Sequence, residues 1–289
     1  MTDDHYTPET ADRPGGSIED DALAEAYNRG LKLEKEGDLV AAAESYREAL
    51  VLDPSDPGGV SIRLAAMGVA ETPGKMPDAY VATLFDQHAD VFDEILVDDL
   101  GYCVPLLLQD LVGRLELGPF GRFLDLGCGT GLTGLAFSET AQHLTGVDLS
   151  ERIVELAYDR EVYDDLYVGE AVEFLEEFEE EDGSRPSWDF IAATDVFPYL
   201  GAIEPFLKGA SERLVAGGYL AFSTETLPDA VLDGRDYMVG PKSRFAQGEA
   251  YVRIRLEEFG FDILAMDPIT VRMEEGEPVP GHLVMTRKR

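Results

Sequence analysis

The stretch FLDLGCGTGLTGLAFSETAQHLTGVDLS, residues 123–150, decides the fold of this 289-residue chain. It begins with an apolar segment that contains Asp125 and then breaks into glycines from Gly127 onward. A helical pattern follows, and a second apolar segment ends at Asp148. A strand, a glycine turn, a helix and a second strand in this order are typical of a nucleotide-binding βαβ unit.

The same alternation of strand and helix continues from Arg122 to the end of the chain, and it predicts a doubly wound α/β domain with a mostly parallel sheet. The link MEEGEP between the last two strands leaves no room for a helix, so an antiparallel hairpin is expected at one edge of the sheet. The predicted strands are 122–126, 143–148, 165–169, 188–194, 217–224, 261–269 and 280–287.

The acids at the strand ends indicate which ligand the glycine turn holds. Asp125 would repel a pyrophosphate at the turn, but it would attract an ammonium or a sulfonium. Asp148 has the spacing of a ribose-binding carboxylate, and Glu170, after the third strand, could accept from the exocyclic amine of an adenine. A cationic end, a ribose diol and an adenine without a phosphate describe S-adenosylmethionine.

Five segments resemble the class I methyltransferase family in its order and spacing: LDLGCGTG, GVDLS, GEA, DFIAATDVFPYLG and LVAGGYLAFSTE. The resemblance covers roughly residues 85–289, and it implies a Rossmann-like sheet of seven strands with the last one antiparallel. It also implies that the glycine turn cradles the methionine part of S-adenosylmethionine, with Asp125 near the ammonium and Asp195 near the methyl group. Asp148 would take the ribose hydroxyls, Leu149 would flank the adenine, and Glu170 and Ala171 would meet its edge. The implied cofactor contacts are Asp125, Gly127, Cys128, Gly129, Gly131, Asp148, Leu149, Glu170, Ala171 and Asp195.

The chain before this domain divides into three predicted parts, namely a flexible tail at 1–19, a helical segment at 20–70 and a linker at 71–80, with the methyltransferase domain at 81–289. Residues 20–56 resemble one tetratricopeptide repeat, with small residues where two helices would touch. Such a hairpin either packs on the main domain or docks a partner protein. Together with LFDQHADVFDEILVDDLGYCVP, it resembles a bacterial group of predicted methyltransferases that carry tetratricopeptide repeats. That group tends to read Arg-Tyr-Ala-His where this chain has Phe245 and Gln247 in place of the tyrosine and the histidine.

The candidate acceptor contacts follow the fourth and fifth strands, on the same edge as the cofactor. They are Asp195, Tyr199, Tyr251 and Arg244. Arg244 could clamp a carboxylate of a small substrate, and either tyrosine could act as a base. Because a sulfonium is already a good leaving group, positioning can supply much of the catalysis, and a base is needed only for a protonated acceptor.

The amino-acid composition indicates which partners and which cellular compartment to expect for the protein. The net charge of −35 disfavours a nucleic-acid substrate, so no nucleic-acid partner is expected. Small metabolites and protein side chains remain as acceptors, and a small molecule is the expectation. Two cysteines and the lack of a long apolar run predict a reducing, cytoplasmic setting without a membrane span, and no metal site is expected. Two rival functions stay open, namely an NAD-type oxidoreductase and a non-catalytic adaptor with a vestigial pocket.

Overall fold

The computed structural model describes residues 18–240 and 242–289. The predicted tail at 1–19 therefore lies, except for its last two residues, outside the described part of the chain. The helices are α1 Ile18–Lys35, α2 Leu39–Leu52, α3 Val60–Ala66, α4 Asp78–His88, α5 Val104–Arg114, α6 Leu132–Phe137, α7 Glu151–Asp159, α8 Ala171–Glu177, α9 Glu204–Arg213, α10 Asp229–Leu232 and α11 Glu249–Glu258. The strands are β1 Phe120–Leu126, β2 Ala141–Asp148, β3 Asp165–Val168, β4 Trp188–Ala193, β5 Leu214–Glu225, β6 Tyr237–Val239, β7 Phe245–Gln247, β8 Phe261–Glu274 and β9 Glu277–Lys288.

Seven strands form one sheet in the order β3-β2-β1-β4-β5-β9-β8. Neighbouring strands from β3 to β5 pair in parallel, whereas β9 runs antiparallel to both β5 and β8. The predicted Rossmann-like sheet with an antiparallel last strand is therefore confirmed. The prediction missed the small β6–β7 hairpin, because strands of three residues are too short to show a period in the sequence.

Two apolar layers cover the faces of the large sheet. On one face Phe123 and Phe190 stack with ring centroids 4.7 Å apart, and Phe137 of α6 packs against both rings. On the other face the side chains of α8, α9 and α11 pack around Ile191 and Leu220. A sheet that is buried on both faces explains why β1 and β4 read as nearly continuous apolar runs.

Helices α1 and α2 form the helical hairpin that the small residues predict. Tyr46 is fully buried against Gly30, where a Cβ would lie only 2.5 Å from the Tyr46 ring. Ala26 and Ala42 are buried in the same cluster, which α3 completes with Val60. The helical hairpin is present, but its identity as a tetratricopeptide repeat stays a prediction.

The segment predicted as a linker is tied to the α/β domain. The carbonyl of Gly74 accepts hydrogen bonds from the backbone N–H groups of Gly201 and Ala202, and the N–H of Met76 donates to the carbonyl of Tyr199. In addition, Ile62 of α3 packs with Met76, Val239 and Phe245, which joins α3 to the β6–β7 hairpin. The helical layer thus packs on the main domain beside the loop after β4.

No helix within residues 18–240 or 242–289 combines the length and the apolar character that a bilayer crossing requires.

Candidate cofactor and acceptor site

A cleft of about 930 Å³, measured with its open mouth, lies at the carboxyl ends of β1 to β4. This position is where open α/β sheets bind ligands. The cleft brings together eight of the ten predicted cofactor contacts. They are Gly127, Cys128, Gly129, Asp148, Leu149, Glu170, Ala171 and Asp195.

The glycine turn after β1 forms one wall of the cleft. Gly127 and Gly129 both have a positive φ, at 64° and 54°. A Cβ on Gly127 would lie 2.4 Å from Val196, whereas a Cβ on Gly129 would find only Phe92 nearby, at 3.6 Å. The backbone at Gly129 is therefore open to a ligand. The neighbouring Cys128 is buried in the turn, and this burial raises the pKa of its thiol, which agrees with a packed rather than a reactive cysteine.

Gly131 and Asp125 lie behind this turn and do not line the cleft. The ring of Tyr163 fills the space there, and a Cβ on Gly131 or Gly134 would lie 3.2 Å or 2.5 Å from it. The Tyr163 hydroxyl donates to Asp125 Oδ2 at 2.6 Å and accepts from the N–H of Gly134 at 3.2 Å. The glycines of the motif therefore have two different roles. Gly129 faces the cleft, whereas Gly131 and Gly134 leave space for the ring of Tyr163.

Burial changes the charge state expected of Asp125. The desolvation of its carboxyl group raises the pKa to about 7, with a further increase from nearby Asp148, although the Tyr163 hydrogen bond opposes both. Its Oδ1 atom has no hydrogen-bond partner. Asp125 therefore does not present an exposed carboxylate to the ammonium of a ligand, as the sequence had suggested.

Asp148 ends β2 and faces the cleft. Its Oδ2 accepts from the N–H of Gly129 at 3.0 Å, and its Oδ1 accepts from the N–H of Ser150 at 3.0 Å. Burial raises its pKa, but these backbone hydrogen bonds oppose the increase. A carboxylate has about four acceptor sites, so the two remaining ones can receive the two hydroxyls of a ribose.

Glu170 has a structural task beside its place on the cleft wall. It is the N-cap of α8, where its Oε2 accepts from the N–H of Glu173 at 2.8 Å. Its other oxygen has no such bond to the helix, and Leu149 and Ala171 line the cleft beside it. These three residues form a part of the cleft wall that is both apolar and acidic.

A lid covers the cleft, and we define it as residues 78–99, which comprise α4, a 3₁₀ turn at Ala89–Val91 and a π-helical turn at Glu94–Asp99. Its apolar side chains Phe85, Phe92 and Leu96 line the cleft. Three carboxylates of the lid contact the opposite rim of the cleft. Asp86 accepts a hydrogen bond from the Ser150 hydroxyl, and Asp90 pairs with Arg152. Asp93 contacts both Thr130 and Arg160.

A second cavity of about 320 Å³, here called the side chamber, opens beside the cleft under the lid. Phe85, Phe92, Leu96, Asp195 and Tyr199 line both spaces. The side chamber has four further wall residues, two apolar and two cationic, namely Ile95, Leu100, Arg244 and Arg272.

A cluster of buried charges surrounds the inner end of the side chamber. Arg272 is 1% exposed, and its Nη1 lies 2.7 Å from Glu225 Oε1 and 3.6 Å from Asp195 Oδ1. Arg244 Nη1 lies 3.6 Å from the same Glu225 oxygen, and Arg272 Nη2 lies 3.6 Å from Glu274 Oε2. The sequence analysis identified Asp195 and Arg244 but missed Arg272 and Glu274, because it ended the sixth predicted strand at residue 269.

Asp195 lies between the cleft and the side chamber in a backbone conformation with φ 60°. Its N–H donates to the Ser223 hydroxyl at 2.8 Å, which holds this turn in place. Burial raises the pKa of its carboxyl group to about 6, although Arg272 and Arg244 oppose this increase. Asp195 is therefore a stronger base than an exposed aspartate.

The two predicted tyrosines differ in position. Tyr199 lies between Phe85 and Arg244 in the wall of both cavities, and burial raises its pKa to about 12, so it stays protonated near neutral pH. Tyr251 lines neither cavity, which corrects its expected place near the acceptor. Its hydroxyl donates to Glu204 at 2.6 Å and accepts from the N–H of Ile203 at 3.0 Å, a buried arrangement at the start of α9.

Gln247 stands where the resembling group tends to have a histidine, and here it holds the loop that carries Tyr199. Its amide nitrogen donates to the carbonyls of Phe197 at 3.0 Å and Leu200 at 2.6 Å. Gln247 is fully buried and does not line either cavity. Its role is therefore to position the loop.

Comparisons with known proteins agree with this geometry. Residues 124–220, about a third of the chain, match a family described as "Methyltransferase domain". Magnesium protoporphyrin IX methyltransferase from Synechocystis PCC 6803, solved with bound S-adenosylmethionine, superimposes with a TM-score of 0.53 at 14% identity. The match covers 73% of this chain and 97% of that one, and it shows a shared fold.

Curated relatives match over shorter lengths. An 18S rRNA (guanine-N(7))-methyltransferase of Arabidopsis thaliana is 45% identical over 61 residues, which is 21% of either chain. A ubiquinone biosynthesis O-methyltransferase of Xanthomonas campestris pv. campestris is 26% identical over 120 residues, or 42% of this chain and 49% of the relative. The chain thus spans between 17% and 49% of the length of the curated relatives it matches.

These relatives correct one expectation from the sequence. The net charge predicts that nucleic acid is not a partner, yet relatives from Arabidopsis thaliana, Mus musculus and Bos taurus are rRNA methyltransferases. Overall charge acts at long range and does not define one local binding surface, so the exclusion was wrong. Residues 124–220 match a methyltransferase family, and the strand order and the glycine turn around them form a Rossmann-like fold that this chain shares with the solved methyltransferase.

Proposed function

We propose that this protein is an active enzyme that transfers a methyl group from S-adenosylmethionine to an acceptor bound in the side chamber. The observation that carries the proposal is the position of Asp195, which lies in the wall of both cavities. A group bound in the cleft and a group bound in the side chamber would meet beside this residue.

The cleft residues fit S-adenosylmethionine in their chemistry. Asp148 offers two free acceptor sites to the ribose hydroxyls, and Gly129 lets the methionine part approach the backbone. Leu149, Glu170 and Ala171 suit the adenine. A cofactor held in this way supplies an electrophilic methyl group on a sulfonium, which is a good leaving group.

The protein contributes positioning, desolvation and proton transfer. The lid residues Phe85 and Phe92 exclude water from the junction of the two cavities, which strengthens the electrostatic interactions inside. Asp195 can accept a proton from a hydroxyl or amino acceptor, and its raised pKa makes it better suited to this task. Tyr199 keeps its proton and serves as a wall and hydrogen-bond donor.

The size of the side chamber favours a small organic acceptor, and this is the acceptor class that we propose. The side chamber measures about 320 Å³ with its open mouth included, which leaves no room for a large acceptor. The curated relatives include enzymes named for ubiquinone biosynthesis and for rRNA guanine. The competing acceptor is therefore a base that is turned out of an RNA strand.

A labelled-transfer experiment tests the proposal and separates these acceptors. The protein is incubated with S-adenosylmethionine carrying a labelled methyl group and with a cell extract divided into metabolite, RNA and protein fractions. We expect label in the metabolite fraction, and we expect Asp195→Asn to reduce it strongly. Label only in RNA would overturn the small-acceptor assignment, and binding of S-adenosylhomocysteine without transfer in any fraction would favour the adaptor function.

A further inference from the structure

We propose that the side chamber binds a carboxylic acid, whose carboxylate contacts Arg244 and Arg272 while its apolar body lies against the lid. This inference rests on the proposed function, since it specifies which acceptors the methyltransferase takes. It starts from the unusual position of two guanidinium groups at the end of an otherwise apolar cavity.

The first argument is the hydrogen-bonding state of Arg272. Its side chain is 1% exposed, and its Nε, Nη1 and Nη2 atoms all lack a hydrogen-bond partner. The guanidinium has ion contacts with Glu225 at 2.7 Å and with Asp195 and Glu274 at 3.6 Å, but none of them has hydrogen-bond geometry. Buried donors without partners are costly. A ligand carboxylate, which can accept two parallel N–H bonds from one guanidinium, would satisfy them.

The second argument is the distribution of charge around the side chamber. Its walls carry the two guanidiniums of Arg244 and Arg272 and one carboxylate, that of Asp195. Glu225 and Glu274 balance the arginines from outside the chamber wall. A ligand in the chamber therefore meets two guanidiniums and one carboxylate, and its anionic group is expected at the inner end, where the two guanidiniums lie.

The third argument concerns the rest of the wall, which is apolar. The lid and the loop after it contribute Phe85, Phe92, Ile95, Leu96 and Leu100. An aromatic or compact aliphatic body fits these side chains, whereas a strongly hydrated one would lose its water without replacement.

The geometry also assigns the nucleophilic atom of the acceptor to the side of the chamber that adjoins the cleft, beside Asp195, whose Oδ1 lies 3.6 Å from Arg272 Nη1. Arg244 and Arg272 line the side chamber but not the cleft, whereas Asp195 and Tyr199 line both. A hydroxyl or amino group on that side would form the new bond to the methyl carbon as the carbon–sulfur bond breaks. The electron pair of that bond stays on sulfur to give S-adenosylhomocysteine, and the proton of the nucleophile passes to Asp195.

A fragment-binding experiment tests this assignment. Benzoate, benzamide and benzylamine have similar shapes but carry an anionic, a neutral and a cationic group. Each is titrated calorimetrically into the full-length protein saturated with S-adenosylhomocysteine. We expect benzoate to bind with a Kd at least tenfold lower than that of benzamide, and we expect benzylamine to bind more weakly than either. Equal or stronger binding of the amide or the amine overturns the proposal.

Variants test whether the preference for benzoate over benzamide depends on the two arginines of the side chamber. Arg272→Met and Arg244→Met remove one cation each with nearly the same volume, and each should lower the benzoate-to-benzamide preference at least fivefold. Arg253→Met removes a half-exposed arginine of α11 that pairs with Glu249, and it should leave the preference unchanged. If Arg272→Met does not fold, the comparison in the unaltered protein and in Arg244→Met still decides the question.

The titration with S-adenosylhomocysteine that precedes each experiment separates the two proposals. Failure of that first titration would count against the proposed function. Normal binding of S-adenosylhomocysteine together with no preference for benzoate would count against the carboxylic-acid assignment alone.

Discussion

Asp125 shows how one buried residue acquires a role that the sequence does not reveal. Its place before the glycine turn suggested a carboxylate exposed to a cationic ligand. In the folded protein it lies behind the turn under Tyr163, where burial raises its pKa to about 7. The contact with Tyr163 joins residues that are 38 positions apart, so no local pattern could have predicted it.

The raised pKa of Asp125 predicts a pH-dependent stability. The folded state holds this proton more tightly than the unfolded chain, whose aspartate has a pKa near 3.8. The protonated Asp125 carboxyl group therefore makes its full contribution to the free energy of unfolding below pH 3.8. This contribution falls by about 1.4 kcal/mol per pH unit as the pH rises towards 7.

The variant Asp125→Asn isolates this effect, because the amide oxygen can still accept from Tyr163 while the group no longer titrates. We expect the stability of the unaltered protein relative to the variant to fall by about 2–3 kcal/mol between about pH 5 and pH 8 in denaturant titrations. A difference that does not change with pH would show that Asp125 is ionised throughout.

Asp148 is the residue on which the proposed binding of the ribose depends most directly. The change Asp148→Ala should weaken S-adenosylhomocysteine binding by about 1–3 kcal/mol, because charge-assisted hydrogen bonds to the ribose are lost. Calorimetry measures this loss, with thermal unfolding as a check on the turn that Asp148 also holds through Gly129. Asp165→Ala, which removes an acid paired with His143 at the start of β3, serves as the matched control and should bind normally. Unaltered affinity in Asp148→Ala would refute the ribose assignment.

At the scale of elements, the lid is held by side-chain contacts between its carboxylates and the opposite rim. Asp93 contributes twice, since it accepts from the Thr130 hydroxyl at 2.5 Å and pairs with Arg160. The pair is partly exposed to solvent, so it is expected to stabilise the closed lid only modestly. Opening of the lid for ligand exchange should therefore be frequent and sensitive to this contact.

The change Asp93→Ala should speed the dissociation of S-adenosylhomocysteine about fivefold to tenfold, as one hydrogen bond and one ion pair are lost. Stopped-flow displacement measures the rate. Asp98→Ala removes the same charge from an exposed position of the same segment and should leave the rate unchanged. Identical dissociation from all three proteins would mean that the lid contacts do not limit release.

The elements were largely predictable from sequence, while the side chamber was not. Apolar runs and turn residues in the sequence predict the seven strands and the acids at their ends. Because neighbouring strands are parallel, their carboxyl ends lie at the same edge of the sheet. The chamber depends on β8 reaching Glu274 rather than ending near residue 269, because this extension carries Arg272 to the ends of β4 and β5. The pairing of β8 with β9 sets that length, and such pairing is a tertiary effect.

At the scale of the whole molecule, the net charge of −35 acts on stability rather than on the choice of substrate. A compact chain with this charge repels itself, and dissolved salt screens the repulsion. We expect the Tm to rise when KCl is increased from roughly 0.05 M to 0.5 M, as the Debye length falls below about 10 Å. Differential scanning calorimetry checks this expectation, with an equal osmolality of sucrose as the control. A constant or falling Tm in KCl would show that favourable ion pairs outweigh the repulsion.

The central claim is that the cleft binds S-adenosylmethionine, and calorimetric titration with its product tests it most directly. The account predicts that S-adenosylhomocysteine binds one site per chain with a micromolar Kd, and that NAD gives no heat beyond dilution under the same conditions. Binding of NAD without binding of S-adenosylhomocysteine would contradict the account, because Asp148, the acid that faces the cleft at the end of β2, would then have to tolerate a pyrophosphate.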